Sequence, residues 1–194
     1  MFADYLAYTI HRPEKSLDAI AALEQQFHIS IQPFSMEPHE YLTPTSLLQE
    51  SLTSADYLHT GWCTYTLLKA AYKSHKGLLL LHDRLVCLEH PNSIRRLLHE
   101  ADDLNQSGSW DMFIMCADAL KVSKPITHKL DRVFQVKGAK MVYINRNCIG
   151  NFIDAFDRAL ASGQFLYGDG LLNRVIRDDG LYVLGASQTK AYFR

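Results

Sequence analysis

No apolar run in this 194-residue chain approaches the roughly 20 residues that an α-helix needs to cross a bilayer, which predicts no membrane-spanning helix. Charge of one sign is not in excess either. Lys and Arg number 20 against 21 Asp and Glu, a formal net charge of −1. A chain so balanced has no global basic field, so its composition gives nonspecific nucleic-acid binding no electrostatic support. Cysteine is sparse, and Cys63, Cys87, Cys116 and Cys148 lie far apart with no CxxC pair. That spacing excludes a dense disulfide framework and predicts reduced, buried thiols in a cytoplasmic protein. Also missing are a Gly-rich phosphate loop, GxSxG, HExxH, a Cys–His nucleophile pattern, an internal repeat and a linker. The start, MFADYLAYTIHRP, lacks a basic segment followed by an apolar core and a cleavage site, and is read as a first strand rather than a signal peptide.

What is there is enough to build a core. Apolar residues make up 47 % of the chain and charged ones 21 %, which suits one ordered domain spanning residues 1–194. Tyr5–Ile10 reads as a strand, Glu14–Phe27 as a helix with Ser16 as cap, and Ile29–Phe34 as a second strand. A short helix is expected over Thr45–Ser51 and a longer one over Ala55–Ser74, followed by a one-glycine corner at Gly77. The strand Gly77–Leu81 is almost purely aliphatic, and Leu85–Leu88 is read as its continuation past a polar break. Asn92 is expected to cap a helix to about Asn105, Trp110–Cys116 to form a strand, and Asp118–Asp131, broken by Pro125, an irregular loop. Val133–Val136 and Lys140–Ile144 look like two strands joined around Gly138. A helix Ile149–Ala161 capped by Asn145 or Asn147 and ended by Gly163, a helix Leu171–Ile176, a turn at Asp178-Asp179-Gly180 and a strand Leu181–Leu184 complete the reading. This alternation predicts an α/β fold: a mixed, Rossmann-like sheet flanked by helices.

Ligands of open α/β sheets bind beyond the carboxyl ends of strands, so His82-Asp83-Arg84, directly after the aliphatic strand, is a site candidate; its bland alternative is a turn with a surface ion pair. Asp118, at the expected carboxyl end of its strand, is a better site candidate than Asp111, which suits a structural strand start. Asp169, between two glycines at the mouth of a helix, is either an N-cap or a functional carboxylate. His59 and Cys63, four apart on a helix, could share a metal but have no second ligand pair, so a shared helix face is the simpler account. Trp62, Tyr65 and Tyr72 suit core packing better than a sugar platform. Asp102-Asp103 and Asp178-Asp179 read as solvated turns.

Taken in order, several segments resemble the GT-A glycosyltransferases, and within them glycosyltransferase family 25, the lipooligosaccharide galactosyltransferase type. The first strand with Arg12 resembles the family's opening strand and following arginine, and Leu42-Thr43-Pro44 its LTxxE-like segment. SADYLHTGWCTYTLLKAA (Ser54–Ala71) resembles the helix of the GCxxSH type, LLLLHDRLV (Leu78–Val86) the LILEDDV strand, and Trp110-Asp111 the WD pair. MVYINRN (Met141–Asn147) is similar to AYLINR, and YGDGLL (Tyr167–Leu172) to the late PVDxxL segment. The resemblance implies a GT-A-like fold, a nucleoside-diphosphate sugar as donor, most simply a UDP-sugar, and a hydroxyl acceptor. A glycan acceptor is implied first, with a hydroxymethylated DNA base the weaker alternative. For nucleic acid, the only basic groupings are Arg95-Arg96 and the lysine-rich segment Lys121–Lys140.

One departure bears on mechanism. The family's acidic triplet, whose last aspartate holds Mn²⁺ or Mg²⁺ in metal-dependent members, reads His82-Asp83-Arg84 here. Two arrangements follow. In one, Arg84, with Arg12, binds the diphosphate in place of a metal, as a permanently charged bidentate donor can. In the other, Asp83 with His82 still holds a divalent ion. The resemblance thus implies Arg12, His82, Asp83 and Arg84 as donor-binding residues, with Asp169 and Asp83 as the carboxylates available for catalysis.

Overall fold

The structure, a computed structural model, describes residues 5–10, 18–27, 29–36, 55–82, 85, 91–106, 110–164 and 168–187. In chain order these form β1 (Tyr5–Ile10), α1 (Asp18–Phe27), β2 (Gln32–Phe34), α2 (Ala55–Lys73), β3 (Gly77–Leu81), α3 (Pro91–Gln106), β4 (Met112–Pro125), β5 (Leu130–Ile144), α4 (Ile149–Ala161), α5 (Gly168–Asp178) and β6 (Val183–Ala186). A single 3₁₀ turn, Arg146–Cys148, joins β5 to α4, with Asn145 at its N-cap. The fold is α/β: one six-stranded mixed sheet, order β2-β1-β3-β5-β4-β6, flanked by helices in the Rossmann-like manner. β1 runs parallel to β2 and β3, and β4 parallel to β6, while β5 runs antiparallel to β3, β4 and β6.

The aliphatic run of β3 follows from its place. Leu78 packs with Trp62, Tyr65 and Leu68 of α2 and with residues of α4 and α5. Leu79 and Leu81 face the opposite side, with Leu23 of α1 and with Leu97 and Ala101 of α3. A strand covered by helices on both faces has no polar side to show, so alternation gives way to a continuous apolar stretch. Gly77 opens β3 because a side chain there would collide with the ring of Tyr143. The corner before it is made by His75, in the left-handed region at φ 55°. The amides of His75 and Lys76 return to the carbonyls of Tyr72 and Ala71 at 3.1 and 3.0 Å, a Schellman ending.

Three expected elements differ. β4 does not stop at Cys116: it pairs with β5 as far as Pro125↔Asp131, so the stretch expected to be an irregular loop is a long hairpin arm. Pro125 fits because it is the last strand residue, where the ladder loses little by a missing N–H. Residues 133–144 are not two strands but one, β5, bent at Gly138. Asn92 is not a cap, since the helix already begins at Pro91, the position that suits a residue without an amide hydrogen. The expected helix Thr45–Ser51 and the Ser16 cap lie outside the described residues.

Candidate functional site

The chain leaves β1 for β2 on one side and comes back to β3 on the other. The order of strands therefore reverses between β1 and β3, and the carboxyl ends of these two strands flank a crevice of the kind that binds ligands in open α/β sheets. A cavity of about 130 Å³ lies there. Ile10 of β1 and Leu80, Leu81 and His82 at the end of β3 form one wall. Thr60, Thr64 and Leu68 of α2, Ala139, Lys140 and Val142 of β5, Phe152 of α4, and Gly168, Leu171 and Leu172 of α5 complete it. The volume is close to the roughly 150 Å³ of an apolar cavity that accepts a benzene ring, so it suits one ring of a ligand rather than a whole nucleotide.

Two basic residues, His82 and Lys140, are among those that line this cavity. His82 is exposed; its amide donates to the Lys140 carbonyl at 2.7 Å and its carbonyl accepts from the Leu85 amide at 3.1 Å. Leu85, its amide bonded back to His82, is not a strand residue and does not continue β3 as expected; the rest of the expected continuation lies outside the described residues. Lys140 sits on the facing strand and makes an ion pair of 2.8 Å with Asp118. The hydrogen bond to Asp118 raises the lysine above its ordinary pKa, so it keeps its charge throughout the neutral range. Asp118 is not at a strand end. It lies inside β4, and its carboxylate occupies the space that a side chain at position 138 would need.

Asp169 is committed to the same corner. Its Oδ2 accepts from the Gly138 amide at 2.6 Å and its Oδ1 from the Ala139 amide at 3.0 Å. One helical turn on, Asn173 accepts from the Val136 amide and donates to the Val136 carbonyl, both at 2.8 Å. α5 thus satisfies the β5 backbone where the strand bends, and Gly138, at φ 64°, makes that bend. Lys140, two residues farther along, lines the cavity. Asp169 and Asn173, four apart on one helix face, and Thr60 and Thr64 on α2 are polar pairs visible in the sequence, but their partners are brought to them only by the fold. Asp169→Asn leaves one strand amide facing an amide donor. It is expected to cost about 1–3 kcal/mol, seen as a lower urea midpoint with unchanged slope.

The other candidates resolve individually. Asp111 is structural: its Oδ2 accepts from the Tyr182 amide at 2.8 Å, joining the start of β4 to the approach to β6. Trp62 and Tyr65 belong to the core, whereas Tyr72 is exposed. The Cys63 Sγ lies 3.5 Å from His59 Nε2, and no group of three His, Cys, Asp or Glu side chains suited to a metal occurs among the described residues. Burial pushes the thiols of Cys116 and Cys148 up to about 11 and about 12, so neither is a thiolate near neutrality. Arg12, Asp83 and Arg84 lie outside the described residues. The structure therefore brings His82, Lys140 and the Asp169 clamp together around one cavity.

No protein-family model matches the chain, and no curated protein matches it. Among solved structures, it is similar to A197 from STIV, with 13 % identity and a TM-score of 0.53, over 94 % of this chain and 81 % of that one. It also matches CTP:phosphocholine cytidylyltransferase from Streptococcus pneumoniae, at 10 % identity and a TM-score of 0.46, over 94 % of this chain and 90 % of that one. The first likeness supports the fold described above and carries nothing about activity.

Proposed function

We propose that the chain is a glycosyltransferase of the GT-A type that takes a nucleoside-diphosphate sugar, a UDP-sugar in the first instance, and passes the sugar to a hydroxyl acceptor, in the first instance a glycan. One observation carries the reading: a ring-sized cavity with two basic residues, His82 and Lys140, in its wall, at the point where the strand order reverses. The segment resemblance independently assigns the same edge of the sheet to the donor. Transfer requires that the departing diphosphate be stabilised and that the acceptor lose a proton. In this reading Lys140 and Arg84, with Arg12, neutralise the diphosphate, and His82 hydrogen-bonds to it. Guanidinium and ammonium groups suit phosphate oxygens through charge-assisted hydrogen bonds.

The donor set fits a divalent ion poorly. An arginine stands where the metal-binding aspartate of the family would be, and the two described carboxylates near Lys140 are already committed, Asp118 to Lys140 and Asp169 to the strand amides. No step is therefore assigned to a metal. Asp83 is the carboxylate left to take the acceptor's proton. Asp169, with both oxygens on strand amides, acts as a positioning residue for Lys140.

The commitment of Asp169 to the backbone also favours a second reading, in which the chain binds a nucleotide sugar without transferring it. A donor-hydrolysis assay across UDP-glucose, UDP-galactose and GDP-sugars, with Mn²⁺ or chelator, separates the two. Transferase action is expected to release UDP with equal rates under both conditions. Saturable binding without release over a long incubation selects the binder, and strong activation by Mn²⁺ abolished by chelator returns the diphosphate to a metal held by Asp83 and His82.

A further inference from the structure

The β4–β5 hairpin carries features that the cavity does not use. Residues 119–125 and 132–137 contain Lys121, Lys124, Arg132 and Lys137 and no acidic residue, in a chain whose net charge is −1. Lys121 pairs in register with Gln135 and Ala119 with Lys137. Lys121 and Lys137 are therefore diagonal neighbours on one face of the ribbon. Lys124 stands directly opposite Arg132, a like-charge pair that destabilises an antiparallel ladder and that an anion would relieve. All three lysines are exposed, and among the described residues none has an ion-pair partner. Arg132 is held differently, its guanidinium over the ring of Tyr182 at 4.5 Å.

Between these charges the ribbon exposes apolar surface. Phe134 is 50 % exposed, whereas Val122, 42 % exposed, pairs with buried Val133 and belongs to the ribbon's other face. The register jumps from Lys121↔Gln135 to Val122↔Val133, so Phe134 is the extra residue of a bulge, left without an opposite number. Lysines beside a protruding aromatic ring fit the boundary of an anionic bilayer, where apolar groups enter the headgroup region and cations meet lipid phosphates. Single-stranded nucleic acid fits less well, because it calls for successive aromatic platforms and the ribbon offers one ring.

We infer that the β4–β5 hairpin is a membrane-docking surface that binds bilayers containing anionic lipid through Lys121, Lys124 and Lys137, with Phe134 entering the interface. The inference is independent of what the cavity binds. It goes beyond the transferase reading, and either can fail alone.

The test is co-sedimentation of the full chain with vesicles of phosphatidylcholine alone or with about a third phosphatidylglycerol. Each lysine near an anionic surface is worth roughly a fivefold gain in partitioning, so three give about a hundredfold. The expected result is binding to the anionic vesicles only, lost at about 1 M salt, where the screening length falls to ~3 Å. Lys121→Gln, Lys124→Gln and Lys137→Gln combined should reduce partitioning by about a hundredfold, and Phe134→Ser should reduce it severalfold, both with unchanged circular dichroism. Lys73→Gln, which removes an exposed charge at the far end of α2, is the control and should leave it unchanged. Equal binding to neutral vesicles, equal binding by the triple variant, or binding to single-stranded DNA with none to vesicles would each overturn the inference.

Discussion

Lys140→Ala is expected to weaken UDP binding by about 10- to 100-fold, the loss that follows from removing one charge-assisted hydrogen bond of ~1.5–3 kcal/mol. The effect should be large because the substitution acts twice. It deletes a cation from the cavity wall, and it leaves Asp118, its ion-pair partner at 2.8 Å, as an unneutralised carboxylate beside an incoming diphosphate. Folding stability should change little, since Asp118 and Lys140 are partly exposed and such pairs contribute at most about 1 kcal/mol. Asp118→Asn is the informative companion. It removes the competing anion while keeping the lysine, and UDP binding should be equal to or tighter than that of the unaltered chain. Calorimetric titration of UDP into the three proteins checks both expectations, and equal affinities throughout would remove Lys140 from the site.

The second large effect is on stability. Phe156 is buried at the centre of the face between α2 and α4. Its ring stacks on Tyr65 with centroids 4.3 Å apart and planes at 12°, and lies 5.5 Å from the ring of Trp62. Tyr65 is tied to the same helix pair by its hydroxyl, which donates to Asp157. Removing the Phe156 ring forfeits its burial and leaves a cavity that two rigid rings cannot fill by collapsing. Phe156→Ala should therefore cost about 3–5 kcal/mol. For a chain of this size that corresponds to a drop in melting temperature of roughly 6–20 °C, a large share of a total stability of ~5–15 kcal/mol. Phe156→Leu, which keeps most of the volume, should recover more than half. Unfolding by urea with tryptophan emission as probe reads both, and a loss below ~1 kcal/mol for the alanine variant would mean that this helix pair is not packed as described.

Much of the architecture was legible because it is written in short, local patterns. Five consecutive small or aliphatic residues at Gly77–Leu81 identified a strand buried on both faces, and the polar triplet after it marked the edge where the cavity lies. Gly163 marked the end of α4, where its amide and that of Gln164 return to the carbonyls of Leu160 and Ala159 at 3.0 and 2.8 Å. The hairpin arms were not legible for a physical reason. From Asp118 to Pro125 the ribbon is mostly exposed and half its residues are polar, so no burial alternation distinguishes strand from loop. What holds those residues extended is the ladder to β5, and a partner strand leaves no imprint on composition. The same ladder, running through Gly138 with a bend, misled the reading of β5 as two pieces.

The site was half legible. His82 could be found from its position after β3, and Asp169 from its place at the start of α5. The role of Asp169 could not, because its partners are the amides of Gly138 and Ala139, about thirty residues away in sequence and brought close only by folding. Lys140 was visible as one of several lysines in a basic segment. Nothing local distinguished the one that faces the cavity from those along the ribbon.

Hydrogen exchange of backbone amides with and without UDP tests the central claim most directly, because it reports where a ligand sits as well as whether it binds. The expected result is protection confined to four short stretches, the end of β1 through Arg12, the end of β3 through Arg84, Gly138–Val142, and the first turn of α5, unchanged by chelator. Protection on other elements, or none with any nucleotide at millimolar concentration, would contradict the assignment of a diphosphate site to the carboxyl ends of β1 and β3.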